Sequence, residues 1–178
     1  MLRTKAIIKR LSSPRASRAV SPGQVKNFVA DPDFPYLISF PRTGSHWLRM
    51  LMELYFEKPT LARSFYFHNA KTFLCMHDHD DDLQLYRKKF IYLYRNPVDT
   101  VYSQINYHQE NTKDMNAITK WSGHYGRHLN KYLLQDNFSE KKTLLTYDRL
   151  KSDLTKEFSK VTDFFDTPFD ANRLTSIA

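Results

Sequence analysis

A chain of 178 residues, 41% hydrophobic and 15% aromatic, can bury one proper core and gives no reason to expect two. Its single cysteine, Cys75, excludes an internal disulfide and points to a reducing, cytoplasmic setting, while no apolar run approaches the length of a membrane span. The formal net charge of +8 is unevenly placed. Arg3, Lys5, Lys9, Arg10, Arg15, Arg18 and Lys26 hold seven of the 27 basic residues, and the other 20 nearly balance the 19 acidic ones.

Residues 1–30 contain no acid and are rich in Ser and Arg, so they read as a flexible basic arm ahead of Asp31-Pro32. Residues 31–178 then form a single domain. A solubilising arm is the simplest reading; contact with a membrane surface or nucleic acid, or service as an organelle presequence, stays open.

The first element of the domain is a short apolar strand over 36–40. A loop with one glycine follows, and an apolar pattern of helical spacing predicts a helix over 46–56. Strand, tight turn and helix start together form a seat for an oxyanion, because first-turn N–H groups lack internal partners and the helix dipole adds positive charge. Arg42 supplies a full charge there, Thr43 and Ser45 supply hydroxyls, and Gly44 admits a ligand close to the backbone. The loop carries neither GxxxxGK[ST] nor GxGxxG, which disfavours conventional ATP or GTP hydrolases, kinases and dinucleotide folds.

Thr72 to Met76 read as a second short strand with His77 at its end. The run HDHDDD over 77–82 invites a metal reading, yet its spacing matches no zinc or calcium loop, so a solvated acidic loop is preferred and no metal is expected.

Phe90 to Tyr94 form a continuous apolar run typical of a strand buried on both faces. Arg95 ends it, Asn96 is placed as an N-cap, Pro97 fits the first helical position and Asp99 falls in the first turn of a helix over 97–108. Arg95 and Ser103 can converge near that helix start and suit a second phosphate. A further helix is predicted over 115–134, a strand over 143–147 and a helix over 149–165. Strands alternating with helices predict an α/β fold, a parallel sheet covered on both faces, with ligands at the carboxyl ends of the strands.

Together these segments resemble the sulfotransferase family, whose donor is 3′-phosphoadenosine 5′-phosphosulfate (PAPS). The family's Tyr-Pro-Lys-Ser-Gly-Thr-Thr-Trp loop is matched by Phe40, Pro41, Arg42, Thr43, Gly44, Ser45, His46 and Trp47. Its Arg-Asn-Pro-x-Asp motif with a later serine is matched by Arg95, Asn96, Pro97, Asp99 and Ser103. LLTYDRLKSD over 144–153 is similar to the family's Tyr-Glu-Asp-Leu-Lys element.

The resemblance implies the family's phosphate-loop architecture and transfer of a sulfuryl group to a hydroxyl or amine, without a metal. It implies donor contacts from Arg42, Thr43, Gly44, Ser45, His46, Trp47, Arg95, Ser103 and Tyr147, with Trp47 and Tyr147 against adenine. Arg42 stands where cytosolic members carry lysine and would stabilise the leaving phosphate. His77 is the implied base; His79 and, less well placed, His46 stay open. The family's glycine-rich Arg-Lys-Gly-x-x-Gly segment has no counterpart before Ala178, a short C-terminus with which the expected donor site is open, completed by another subunit of a homo-oligomer, or defective. A protein that binds the donor without turnover, or a nucleotide kinase, are the competing readings. The acceptor is a small molecule, carbohydrate or lipid; Tyr66, Phe67, His68, Tyr107 and His108 are candidates to line its pocket, and no specific nucleic-acid partner is expected.

Overall fold

The computed structural model describes residues 22–61, 63–67, 70–135 and 137–178. Helix α1 (Pro22–Ala30) leads into β1 (Tyr36–Ser39) and α2 (Ser45–Phe56), followed by β2 (Met76–Asp78) and β3 (Lys89–Tyr94). Next come α3 (Pro97–Tyr107), α4 (Met115–Leu129) with a π-helical turn over Asn130–Leu134, and β4 (Lys141–Thr146). Three helices close the described chain: α5 (Tyr147–Ser152), α6 (Leu154–Phe164) and α7 (Ala171–Ile177).

The four strands are all parallel, in the order β2-β1-β3-β4. Successive strand residues face opposite sides, so each strand feeds two cores. Leu37, Ile91, Leu93 and Leu145 pack with Leu48 and Met52 of α2 and Phe158 and Val161 of α6. Tyr36, Ile38, Phe90 and Tyr92 face the other side, against Tyr132, Leu85 and Val25. Burial on both faces is why β3 reads as an unbroken apolar run rather than an alternating one.

Three sequence expectations are corrected by this arrangement. The arm expected over 1–30 is in its last nine residues helix α1, whose Val25 is fully buried and whose Phe28 packs on Phe34 (4.9 Å) and Phe73 (5.4 Å). Residues 1–21, the rest of that expectation, lie outside the described residues. The strand expected over 72–76 lies instead at Met76–Asp78. Phe73, Leu74 and Cys75 are buried, but their backbone pairs outside the sheet: Leu74 N–H donates to the Pro59 carbonyl and Leu61 N–H to the Cys75 carbonyl, both at 2.9 Å. Finally, the single helix expected over 149–165 breaks at Asp153, whose extended backbone and carboxylate (accepting Lys156 N–H, 3.1 Å) start a new helix. Helix α7 was not expected from the sequence.

Cys75 is 1% exposed, and burial pushes its thiol up to about 12, with the nearby Arg49 opposing in part. His128 of α4 is also fully buried. Its Nε2–H donates to the His79 carbonyl (2.8 Å), and its Nδ1 accepts from the Tyr92 hydroxyl (2.9 Å), a pattern suited to the neutral ring. Desolvation lowers its pKa to about 4, the hydrogen bond to His79 offsetting only part of that. Between pH 6.5 and 4 the unfolded chain therefore takes up a proton that the folded ring refuses, so stability falls with pH across that window. The full cost is about 3 kcal/mol. Thermal unfolding between pH 7 and 4 should show this decline, and His128→Gln should flatten it; an equally steep decline in the variant would remove His128 as its source.

Candidate functional site

The β1–α2 loop is a tight reversal. Arg42 (φ 70) and Gly44 (φ 93) both occupy the left-handed region, and the Thr43 hydroxyl donates to the Phe40 carbonyl at 2.8 Å. Thr43 is fully buried, so its hydroxyl holds the turn together and does not face the cleft as expected. At Gly44, the N-cap of α2, a Cβ would lie 2.4 Å from Cδ2 of Tyr147. Glycine is required there twice over, by its backbone angle and by the ring laid against it.

Tyr147 opens α5 directly after β4 and is the hub of the site. Its ring meets Trp47 edge-on at 6.1 Å, and the Arg95 guanidinium lies 4.8 Å over it. Arg95 follows β3, where the Tyr125 hydroxyl grips its backbone on both sides, accepting from Arg95 N–H (3.1 Å) and donating to the Arg95 carbonyl (2.8 Å). Asn96 caps α3 as expected, its side chain accepting from Val98 N–H (2.9 Å) and Asp99 N–H (3.4 Å).

The two expected anion seats touch each other. Arg42 Nε donates to Ser103 Oγ (3.3 Å), and Arg95 Nη1 donates to the Arg42 carbonyl (3.4 Å). Arg95 Nη2 also pairs with Asp99 at 3.6 Å, while its Nε is buried with no hydrogen-bond partner among the described residues. Arg42, Gly44, Ser45, His46, Trp47, Arg95, Ser103 and Tyr147 all line one cleft of about 1150 Å³. A recess of about 390 Å³ opens beside it between Arg42, Arg95 and Tyr107.

His77 sits inside β2 rather than at its end. Its Nε2 lies 3.1 Å from the Ser39 hydroxyl, it is 9% exposed, and it does not line the cleft. His79, just past the strand, does line it, and its Nδ1–H donates to the Ser39 carbonyl at 2.6 Å. Because β2 ends at Asp78, two residues later than expected, His79 and not His77 follows it. His46 lines the cleft as well. Burial first, then the charges of Arg49, Arg63 and others, lower its pKa, and its Nε2 accepts from Arg63 (3.3 Å).

The acidic run beyond His77 is not a solvated loop throughout. Asp80 is fully buried at φ 46; its carboxylate accepts from Lys131 Nζ (3.0 Å), from Leu85 N–H (2.9 Å) and closely from the Tyr132 hydroxyl. Among the described residues no three His, Cys, Asp or Glu side chains gather as metal ligands. The cleft also contains residues that the sequence reading missed: Arg63, Lys120, Trp121, His124 and Arg127. Lys120, His124 and Arg127 recur at spacings of four and three, a polar stripe on α4 that was available in the sequence; no comparable signal marks Arg63. Of the acceptor candidates, Tyr107 and His108 line the cleft, Tyr66 and Phe67 do not, and His68 lies outside the described residues.

These features define a parallel α/β protein in which Arg42 and Arg95 meet in one cleft at neighbouring strand ends, and the comparisons agree with that class. The family described as sulfotransferase domain matches residues 68–178, a stretch that includes the Arg95 seat and begins after the Arg42 loop. The chain belongs to the sulfotransferase family. Its fold is similar to that of mouse sulfotransferase SULT7A1 complexed with PAP (TM-score 0.60, 21% identity, 88% of this chain and 66% of that one). It is similar also to the sulfotransferase domain from the curacin biosynthetic pathway (TM-score 0.56, 14% identity, 81% of this chain and 77% of that one). The chain thus spans just under two thirds of the mouse protein's length. No curated protein matches it.

Gly44→Ala should destabilise the protein by about 1–3 kcal/mol, since it adds backbone strain and displaces the Tyr147 ring. Denaturant unfolding measures this. Unchanged stability would mean that the loop does not hold the left-handed turn against Tyr147.

Proposed function

We propose that this protein transfers a sulfuryl group from PAPS to a hydroxyl or amine of a small-molecule acceptor. The observation that carries the reading is the union of the Arg42 and Arg95 seats in one cleft, linked through Ser103 and the Arg42 carbonyl. A donor with a phosphosulfate at one end of an adenosine and a phosphate at the other needs two such seats and an aromatic surface near them. The PAP carried by the mouse relative, the spent form of that donor, supports the same reading.

Arg95 and Ser103 would hold the 3′-phosphate; the first-turn N–H groups of α2 and Arg42 would hold the 5′-phosphosulfate. Trp47 and Tyr147 would flank adenine. In the reaction an acceptor oxygen or nitrogen forms a bond to sulfur as the bond from sulfur to the 5′-phosphate oxygen breaks. The acceptor's proton goes to a base, and the electron pair of the broken bond stays on the phosphate, where Arg42 balances the added charge. The work left to the protein is alignment and charge stabilisation.

We assign the base to His79 rather than His77. Because a carbonyl only accepts, the Ser39 contact puts the His79 proton on Nδ1 and makes Nε2 the basic nitrogen of the neutral ring. His77 lies in the strand against Ser39 and outside the cleft lining.

Calorimetry should find adenosine 3′,5′-bisphosphate bound without magnesium and in preference to ATP. Arg95→Ala should weaken that binding by about 10- to 100-fold while barely changing the affinity for the 5′-monophosphate. A magnesium-dependent preference for ATP would end the reading and favour a kinase. The second measurement follows labelled sulfuryl transfer from PAPS to a mixed panel of phenols and glycosides. His79→Ala should lower transfer by roughly 10²- to 10⁴-fold with bisphosphate binding intact. Loss of transfer in His77→Ala alone would return the base to His77.

A further inference from the structure

The half of the cleft away from Arg42, Arg95 and Tyr147 has a chemistry of its own. The donor seats follow β1 and β3, with Tyr147 following β4. The remaining half lies beyond β2, the opposite edge of the sheet, and is roofed by α4. His124 of α4 fixes that roof by donating Nε2–H to the Asp81 carbonyl at 3.0 Å. Trp121 lies in a stack between His108 (4.7 Å, 20°) and His124 (6.2 Å, 23°).

Charge in this half is positive on balance: Arg63, Lys120 and Arg127 line it, with the acidic Asp81 among them. Lys120 is spoken for by Glu110, at 2.7 Å. Exposed Arg127, one turn beyond His124, makes no side-chain hydrogen bond or ion pair among the described residues, although it lines the cleft. Arg63 has no acidic partner among them either, its guanidinium reaching neutral His46 and lying 5.3 Å over Phe65.

Nor is Arg63 a loosely tethered surface charge. Buried Glu53 accepts from Thr60 N–H (3.0 Å), Ser64 Oγ (3.0 Å), Phe65 N–H (2.8 Å) and Tyr66 N–H (3.2 Å). Buried Arg49 donates to Thr60 Oγ1 (2.8 Å) and closely to the Arg63 carbonyl itself. Two buried charges of α2 thus fix the backbone that carries Arg63 to the cleft. Burying charge is costly, so a loop built this way is held to a specific geometry.

We propose that the acceptor is itself an anion, a ring-bearing small molecule with a carboxylate or sulfate ester, and that Arg63 and Arg127 recognise that group. The inference rests on the sulfuryl-transfer reading above and names the substrate class for it. The physical need is plain. An anionic acceptor approaching an anionic phosphosulfate is repelled by it, and the more so where water is excluded. Cations on the acceptor side remove that barrier, and a neutral acceptor has no use for them. Arginine suits the role because its planar fork grips an oxyanion with two hydrogen bonds.

The test uses the full chain saturated with adenosine 3′,5′-bisphosphate, which fills the donor half. Three probes are titrated by ligand-observed NMR: para-nitrophenyl glucuronide, para-nitrophenyl glucoside 6-sulfate and neutral para-nitrophenyl glucoside. One or both anionic probes should bind at least about tenfold more tightly than the neutral one, and the stronger of the two tells carboxylate from sulfate ester. That preference should shrink to near unity in Arg63→Ala/Arg127→Ala, whose bisphosphate affinity stays at the parent value, and added salt should erode it. Equal affinity for all three probes, no binding of any, or a preference that survives the double substitution would overturn the proposal. Failure to bind the bisphosphate at all would instead overturn the donor reading.

Discussion

The packing of the Tyr147 ring against the backbone of Gly44 is the constraint around which the site is assembled. It brings the residue that opens α5, after β4, onto the loop after β1, with no space between for even a methyl group. The other side of that assembly is Arg95, laid over the same ring from the end of β3. Tyr147 is held in turn by its neighbours: Thr146 caps α5 through Arg149 N–H (3.2 Å), and buried Glu157 accepts from Thr146 N–H (2.8 Å). Three strand ends are thereby locked to one ring. A glycine, a tyrosine and an arginine from three separate stretches of the chain act as one local unit, which is how the sheet holds the Arg42 loop and Arg95 in a fixed relation.

The parts of this unit that could be read from the sequence are those whose physics is local. Asn96, Pro97 and Asp99 specify a helix start through capping, a preset φ and the dipole, and α3 begins where they place it. The buried β3 run and the glycine loop before α2 were legible for the same reason. Features decided by distant partners were not. The run Thr72–Met76 reads as strand because it is apolar, but burial does not reveal whether a backbone pairs with the sheet or with the segment after Pro59. That ambiguity moved β2 and with it the identity of the histidine at the cleft. Asp80 looked like one acid among several; its Lys131 and Tyr132 partners lie some 50 residues away. Thr43 is an exception to this rule: the Phe40 carbonyl that claims its hydroxyl is only three residues away.

Two buried polar clusters, Glu53 with Arg49 and Asp80 with Lys131, lie outside the cleft lining but hold segments that reach it. Each fixes a stretch without regular secondary structure, 59–61 with 63–67 in one case and 79–85 in the other. Burying charge adds little net stability, since desolvation offsets most of the attraction gained. Their contribution here is geometric: the first stretch carries Arg63, the second His79 and Asp81, and all three face the cleft.

Cys75 has a consequence of a different kind. Its sulfur is enclosed by the same apolar cluster that joins β1, α2 and α6, and burial keeps the thiol protonated far above neutral pH. An alkylating reagent can reach it only when that cluster parts. The chain therefore carries an internal clock for its own breathing, in which the rate of labelling at one atom records how often the interior opens.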